Sequence, residues 1–189
     1  TGVAILAEEL DAKRLELLHE LAPSTGLIGA LVNPRNPSVA VQQSNLQAAG
    51  KAIGRTLQVL RAGTVEELEA AFSTLATQNA TGLVVASDPW LTSQRQRIVE
   101  LAARHRLPGI YQWRQFADAG GLASYGPSFA EAYRQSGVLA GRVLRGENPA
   151  TLPVLQPTKF ELVINLKTAK TLGLLITALF MARADEVIE

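Results

Sequence analysis

Short apolar runs that stop at a polar residue and a proline alternate with longer stretches of helical period, and this alternation constrains the fold more than any other feature. The run Leu27-Ile28-Gly29-Ala30-Leu31-Val32 stops at Asn33-Pro34, and Gly82-Leu83-Val84-Val85-Ala86-Ser87 stops at Asp88-Pro89. An unbroken apolar run suits a strand buried on both faces, whereas a strand with one wet face alternates. Between these runs lie a helix from about 38 to 53 closed by Gly54, a strand over 56–61, and a helix opening at Thr64. That last helix begins with a capping box, Thr64-Val65-Glu66-Glu67, and carries Val65, Leu68, Phe72 and Leu75 on one stripe. Such βαβα succession predicts an α/β fold: a parallel sheet with helices on both faces.

Ahead of the first strand, a helix over about 8–21 puts Leu10, Leu17, Leu18 and Leu21 on one stripe. After the third strand, a helix over about 92–106 leads into a strand over 109–113. Strands at 26–32, 56–61, 82–87 and 109–113 therefore make one doubly wound lobe within residues 8–117. The rest reads differently. Residues 120–126 are strand-like between glycines, and a second capping box, Ser128-Phe129-Ala130-Glu131, opens a helix ending near Gly146. Residues 147–157 hold three prolines and no helical period, 159–165 form a final strand, and two short helices close the chain. Residues 118–189 carry apolar faces but too few elements for a lobe of their own. They are expected to pack on a sheet that the sequence does not supply.

Composition removes several classes of function. With 18 basic and 17 acidic residues, no basic field recruits nucleic acid or anionic lipid. The absence of cysteine excludes disulfide scaffolds, thiolate metal sites and cysteine nucleophiles. The apolar stretch from 172 to 182 is too short to cross a bilayer.

Ligands of an open parallel sheet gather beyond the carboxyl ends of its strands. Polar or aromatic residues stand at that edge: Asn33 with Asn36, Ser87 with Asp88, and Tyr111-Gln112-Trp113. Helix N-termini there can offer N–H groups to an anionic ligand group, Tyr111 and Trp113 a flat apolar wall, and Asp88 a partner for an amine. A small zwitterionic or polar metabolite suits this set. Simpler readings stand beside it. Asn33-Pro34 and Asp88-Pro89 also serve as strand-to-helix turns with capping side chains; Tyr111 and Trp113 alternate along one strand and can face the core. Ser124 and Tyr125, before Gly126-Pro127, mark a bend as readily as a site. His19 and His105 lie on amphipathic helices, and the acid pairs Glu8-Glu9 and Glu66-Glu67 complement helix dipoles. No nucleophile elbow, phosphate loop, metal-ligand spacing or cofactor motif is present, so binding is favoured over catalysis.

Longer phrases carry a resemblance. Thr1-Gly2-Val3, Val32-Asn33-Pro34-Arg35-Asn36-Pro37, Gly120-Gly121-Leu122-Ala123-Ser124-Tyr125-Gly126-Pro127, Gln156-Pro157-Thr158-Lys159-Phe160-Glu161, Asn165-Leu166-Lys167-Thr168-Ala169-Lys170 and Ala184-Asp185-Glu186-Val187-Ile188-Glu189 resemble the ABC-transporter substrate-binding proteins related to the tryptophan-binding type. The resemblance implies a periplasmic-binding-protein type I fold, two α/β lobes joined by three crossings. Residues 1–7 would be a crossing segment, 8–117 the complete second lobe, and 118–189 a returning segment of a first lobe whose N-terminal part is absent. Thr1 in place of an initiating Met fits a processed or excised chain, and the resemblance implies a periplasmic location. The ligand residues implied are Asn33, Asn36, Ser87, Asp88, Tyr111, Trp113, Ser124 and Tyr125, with no metal and no cofactor. Tyr111-Gln112-Trp113-Arg114 stands where some relatives place an acidic residue, so the resemblance implies a small polar or aromatic metabolite, with an amino acid one of the candidates. The implied partners are a small-molecule ligand and an ABC permease, with a homodimer through the incomplete first lobe. The same fold also implies a rival, the ligand-sensing domain of a signalling or regulatory protein. A Rossmann-like enzyme would need a phosphate loop or catalytic set that the sequence lacks.

Overall fold

A computed structural model of the chain describes residues 1–4, 10–24 and 26–189. The elements run in the order β1 (Gly2–Val3), α1 (Asp11–Leu21), β2 (Ile28–Val32), α2 (Val39–Ala52), β3 (Leu57–Arg61), α3 (Val65–Thr77), β4 (Gly82–Val85), α4 (Pro89–Ser93), α5 (Arg95–Arg104), β5 (Gly109–Tyr111), α6 (Arg114–Asp118), β6 (Ala123–Pro127), α7 (Phe129–Leu144), β7 (Val154–Leu155), β8 (Phe160–Asn165), α8 (Leu166–Leu172), α9 (Ala178–Met181) and β9 (Glu186–Ile188). The Glu8-Glu9 pair lies outside the described residues. Among the described residues no helix is long and apolar enough to cross a membrane.

Seven strands form one sheet in the order β3-β2-β4-β5-β6-β8-β9, parallel throughout except for the antiparallel β6–β8 pair. β2 and β4 are apolar or glycine in every residue because both their faces are covered. Leu31, Leu83 and Val85 face a core with Leu68, Phe72 and Leu75 of α3 and Ile98 and Leu101 of α5. Ala30, Val32, Val84 and Ala86 face the opposite core with Leu15, Leu17, Leu18 and Leu21 of α1 and Leu46 of α2. The period of two along each strand thus sorts neighbouring residues into two cores.

Local signals placed most helix starts. The Thr64 hydroxyl accepts from the Glu67 N–H at 3.2 Å, while the Glu67 carboxylate accepts from the N–H groups of Thr64 (3.1 Å) and Gly63 (2.7 Å). The second box forms only in half. Ser128 Oγ accepts from the Glu131 N–H at 3.4 Å, but the Ser128 N–H donates to the Lys159 carbonyl instead. The Glu131 carboxylate turns to Arg134, at 2.6 and 2.7 Å, and to Gln135 at 3.0 Å.

The fold departs from the sequence-based expectation in three places. The helix expected over 92–106 is two, α4 and α5, with Asp88 capping the first. The fourth strand ends at Tyr111, and Trp113 already stands at the position preceding α6, without a capping side-chain hydrogen bond. Most consequentially, the sheet does not end at residue 113, and residues 118–189 do not leave it as a block. β6 pairs with β5 through Ile110–Ala123, β8 lies against β6, and β9 against β8. The apolar surplus of the last third is in large part the edge of this same sheet. The α7 helix and the β1–β7 pair lie off it, packed together, and α7 exposes Tyr133 and Leu144.

Two outcomes follow from this packing. Phe72→Ala empties a fully buried ring site between sheet and helices, and urea denaturation is expected to show a loss of about 3–5 kcal/mol. The hydrogen bond from Arg134, with a smaller one from Gln135, holds the Glu131 carboxyl at about 2 against an ordinary 4.5. A depressed folded-state pKa contributes stability that is present above the unfolded value and disappears as pH falls toward 2. NMR titration should place the Glu131 midpoint near 2 and return it to the ordinary carboxylate range in Arg134→Gln.

Candidate ligand site

The polar ends of β2 and β4 meet at one point. Asn33 follows β2 and Asp88 follows β4, and the Asn33 Nδ2 lies 3.1 Å from both carboxylate oxygens of Asp88. Asn36 donates from Nδ2 to Asp88 Oδ2 at 2.9 Å and to the Ser87 carbonyl at 3.4 Å. The Leu91 N–H at the start of α4 donates to Asp88 Oδ1 at 2.8 Å. The amide oxygens of the two asparagines are also engaged, accepting from the N–H groups of Arg35 (2.9 Å) and Ser38 (2.8 Å). An ionised carboxylate has about four acceptor positions, and four contacts are made to Asp88 from within the chain. The turn and the candidate site are therefore one object: Asp88 caps α4 while drawing the loop after β2 against the end of β4.

A chain of hydrogen bonds continues from this turn toward β5. The Asp88 carbonyl accepts from Thr92 Oγ1 at 2.7 Å, and Thr92 Oγ1 accepts from Gln112 Nε2 at 3.0 Å. Gln112 is fully buried, with Oε1 lacking a hydrogen-bond partner among the described residues. The next residue, Trp113, stacks on Phe129 at the start of α7, ring centroids 4.0 Å apart. A cleft of about 340 Å³ opens beside this pair, walled by Arg114, Ser128 and Glu161. Arg114 is oriented by Glu186 of β9 and by Asp118, and the bond to Glu186 is the main reason its pKa is raised.

The two sides are held together from the buried face of α1. The Arg14 side chain has no solvent exposure; it pairs with Asp11, donates from Nε to the Tyr125 carbonyl at 2.9 Å, and from Nη2 to Ser87 Oγ at 3.1 Å. Burial pulls the Arg14 pKa below the ordinary arginine value, and the Asp11 carboxylate opposes that pull. From α2, the buried Gln42 donates to the Ser87 carbonyl at 2.7 Å.

Asn33, Asn36, Ser87 and Asp88 are thus brought together, and Trp113 stands at the neighbouring cleft. Tyr111 and Ser124 are placed elsewhere. Tyr111 points into the core, 1% exposed and stacked on Phe116 at 4.7 Å, and burial pushes its phenol pKa up. Its strand position gives it to the α3–α5 face, and Gly109 and Gly121 leave the space its ring fills. Ser124 is 1% exposed inside the sheet, and Tyr125 is half-buried with its ring 6.2 Å from Phe160. Sequence reasoning missed Arg14, Gln42, Thr92 and Phe129. Arg14 left a signal: it falls in register between Leu10 and Leu17 on the apolar stripe of α1, where a solvated arginine does not belong. Among the described residues no group of three potential metal ligands comes together.

The sequence model of the ABC transporter substrate binding protein family matches residues 1–188, and the chain belongs to that family. Solved structures share its fold. The ABC domain from Streptococcus pneumonia in complex with L-Trp matches with a TM-score of 0.82 at 24% identity, over 94% of this chain and 62% of that one. A conserved domain protein from Vibrio cholerae matches at 0.83 and 22% identity, over 98% of this chain and 61% of that one. A protein described as a LacI-family transcription repressor, from Corynebacterium glutamicum, matches at 0.54 and 16% identity, over 78% and 60%. The chain spans about three fifths of the length of these structures. No curated protein matches it.

Gly126 shapes the cleft. A Cβ there would stand 1.9 Å from the Gln112 carbonyl oxygen, so only glycine lets β6 pass so close to the chain leaving β5. Gly126→Ala is expected to lower stability by about 1–3 kcal/mol and to change the near-ultraviolet circular dichroism of Trp113, read from the purified variant.

Proposed function

We propose that the protein is the solute-binding component of an ABC importer, capturing a small polar or aromatic metabolite at the carboxyl edge of its sheet. In the full-length context, delivery to a permease outside the cytoplasm follows, without chemical change to the ligand. The observation that carries this reading is the continuous path from the Asn33–Asp88 turn through Thr92 and Gln112 to the Trp113–Phe129 cleft. It supplies a rigid polar edge beside a flat aromatic wall, the combination small-molecule sites use for orientation and affinity. In this reading Trp113 and Asn36 touch the ligand. Asn33, Ser87 and Asp88 frame the turn, and Ser124 and Tyr125 belong to the strand along which lobe closure is transmitted. Closure on ligand would shift an open–closed equilibrium.

The L-Trp held by the Streptococcus relative supports an aromatic amino acid or a related aromatic acid as the first ligands to test. The likeness to a repressor supports a sensor as the alternative use of the same cleft, while the family match favours delivery. Isothermal titration of aromatic acids, amino acids and sugars is expected to find one class that binds. Trp113→Ala should weaken that class by about 2 kcal/mol, roughly 30-fold, with far-ultraviolet circular dichroism unchanged. Binding that survives Trp113→Ala at full affinity would place the ligand elsewhere.

A further inference from the structure

We propose that Arg14 is a positioning residue for the site: one buried guanidinium locks the Ser87–Asp88 turn to β6, so that turn and strand hold a single mutual position. It stands on the buried stripe of α1 with no solvent exposure, and among the described residues its bonds reach three separate elements. Asp11 lies on its own helix, Ser87 Oγ at the end of β4, and the Tyr125 carbonyl on β6.

β4 and β6 are not neighbours in the sheet, because β5 runs between them. The β5–β6 ladder stops at the Tyr111–Ser124 pair, after which β5 turns into α6. The next carbonyl of β6, that of Tyr125, receives the Arg14 Nε–H. The guanidinium therefore ties β4 to β6 where the ladder through β5 has run out. On one side it reaches the turn whose carboxylate organises Asn33 and Asn36. On the other it reaches the strand that leads through Gly126 to Phe129 and the cleft.

Energetics argue that this contact sets position more than stability. Taking a guanidinium and a carboxylate out of water is costly, and well-packed apolar replacements of buried ion pairs are often neutral or stabilising. What an apolar side chain cannot reproduce is the planar fork, which fixes two acceptors at set distance and angle. Lysine keeps the charge but not the fork.

The functional weight of the lock rests on reading the Asp88 turn as part of the ligand site, but the test needs no ligand. Native-state hydrogen exchange is measured on the wild-type chain, Arg14→Lys, and the paired replacement Asp11→Leu with Arg14→Met. In both variants, amide exchange across 88–92 and 123–127 is expected to accelerate together by at least about tenfold, while the amides of β2 and β3 keep their wild-type protection. Ser87→Ala, which removes one arm and leaves the ion pair, should accelerate 88–92 and leave 123–127 protected; it serves as the decisive variant should either Arg14 replacement fail to fold. Unchanged exchange in both segments would overturn the proposal, as would a uniform rise over the whole sheet, the signature of a merely stabilising residue. Wild-type ligand affinity in both Arg14 variants with the exchange pattern confirmed would count against the ligand reading of the Asp88 turn, not against the lock.

Discussion

The central strands of this protein are buried on both faces, and that constraint decides where polar chemistry can exist. Inside β2 and β4, neither face offers water or a partner to a polar side chain, so every residue from Ile28 to Val32 and from Gly82 to Val85 is apolar or glycine. The first positions at which a polar group can survive are those just past the strand ends. Asn33, Asn36, Ser87 and Asp88 stand there, and they satisfy one another: carboxylate against carboxamides, carboxamide oxygens against backbone N–H groups. The candidate site is the boundary condition of the sheet. The same constraint explains why Tyr111, still within a strand, belongs to the core, while Trp113, two residues later, reaches the cleft.

The polar edge is rigid because each of its groups has more than one role. Asp88 caps α4 and gathers two asparagines; Thr92 accepts from Gln112 while donating to the Asp88 carbonyl; Asn36 both closes its own turn and holds the Asp88 turn. Pre-formed geometry of this kind lowers the ordering cost of binding. It also means that the Asp88 carboxylate and the Asn36 amide are both engaged within the protein, and of the four polar residues Asn36 alone is half-buried rather than buried. Arg14 and Gln42, reaching up from the α1–α2 face, fix the Ser87 backbone and hydroxyl from beneath.

The family is that of the ABC transporter substrate binding proteins, and the arrangement of β6 to β9 shows how the parts of this chain connect. β6 continues the sheet and then delivers the chain to α7, which lies off the sheet against β1. β8 and β9 return to the sheet and bring Glu186 to Arg114 beside the cleft. The segment at 123–127 is therefore both a strand of the sheet and the route out of it, and its tight passage over Gln112 ties that route to the site.

Much of this was legible in the sequence. The apolar runs, the capping box at Thr64 and the Asn-Pro and Asp-Pro stops identify α1 to α3 and β2 to β5 to within a few residues, because helix bonds, caps and strand alternation act between near neighbours. The polar strand ends were legible for the same reason, as the only places where the pattern breaks. The sequence did not disclose that residues 123–127, 160–165 and 186–188 extend the same sheet, that Tyr111 faces the α3–α5 side, or that Arg14 is a buried fork. Those outcomes depend on partners far away in the chain: Arg14 meets Ser87 across 73 residues and Tyr125 across 111. Strand pairing and buried polar contacts are chosen by what the whole fold brings into reach. The local sequence determined the elements and their polar ends, and only the tertiary structure decided which ends meet and what holds them.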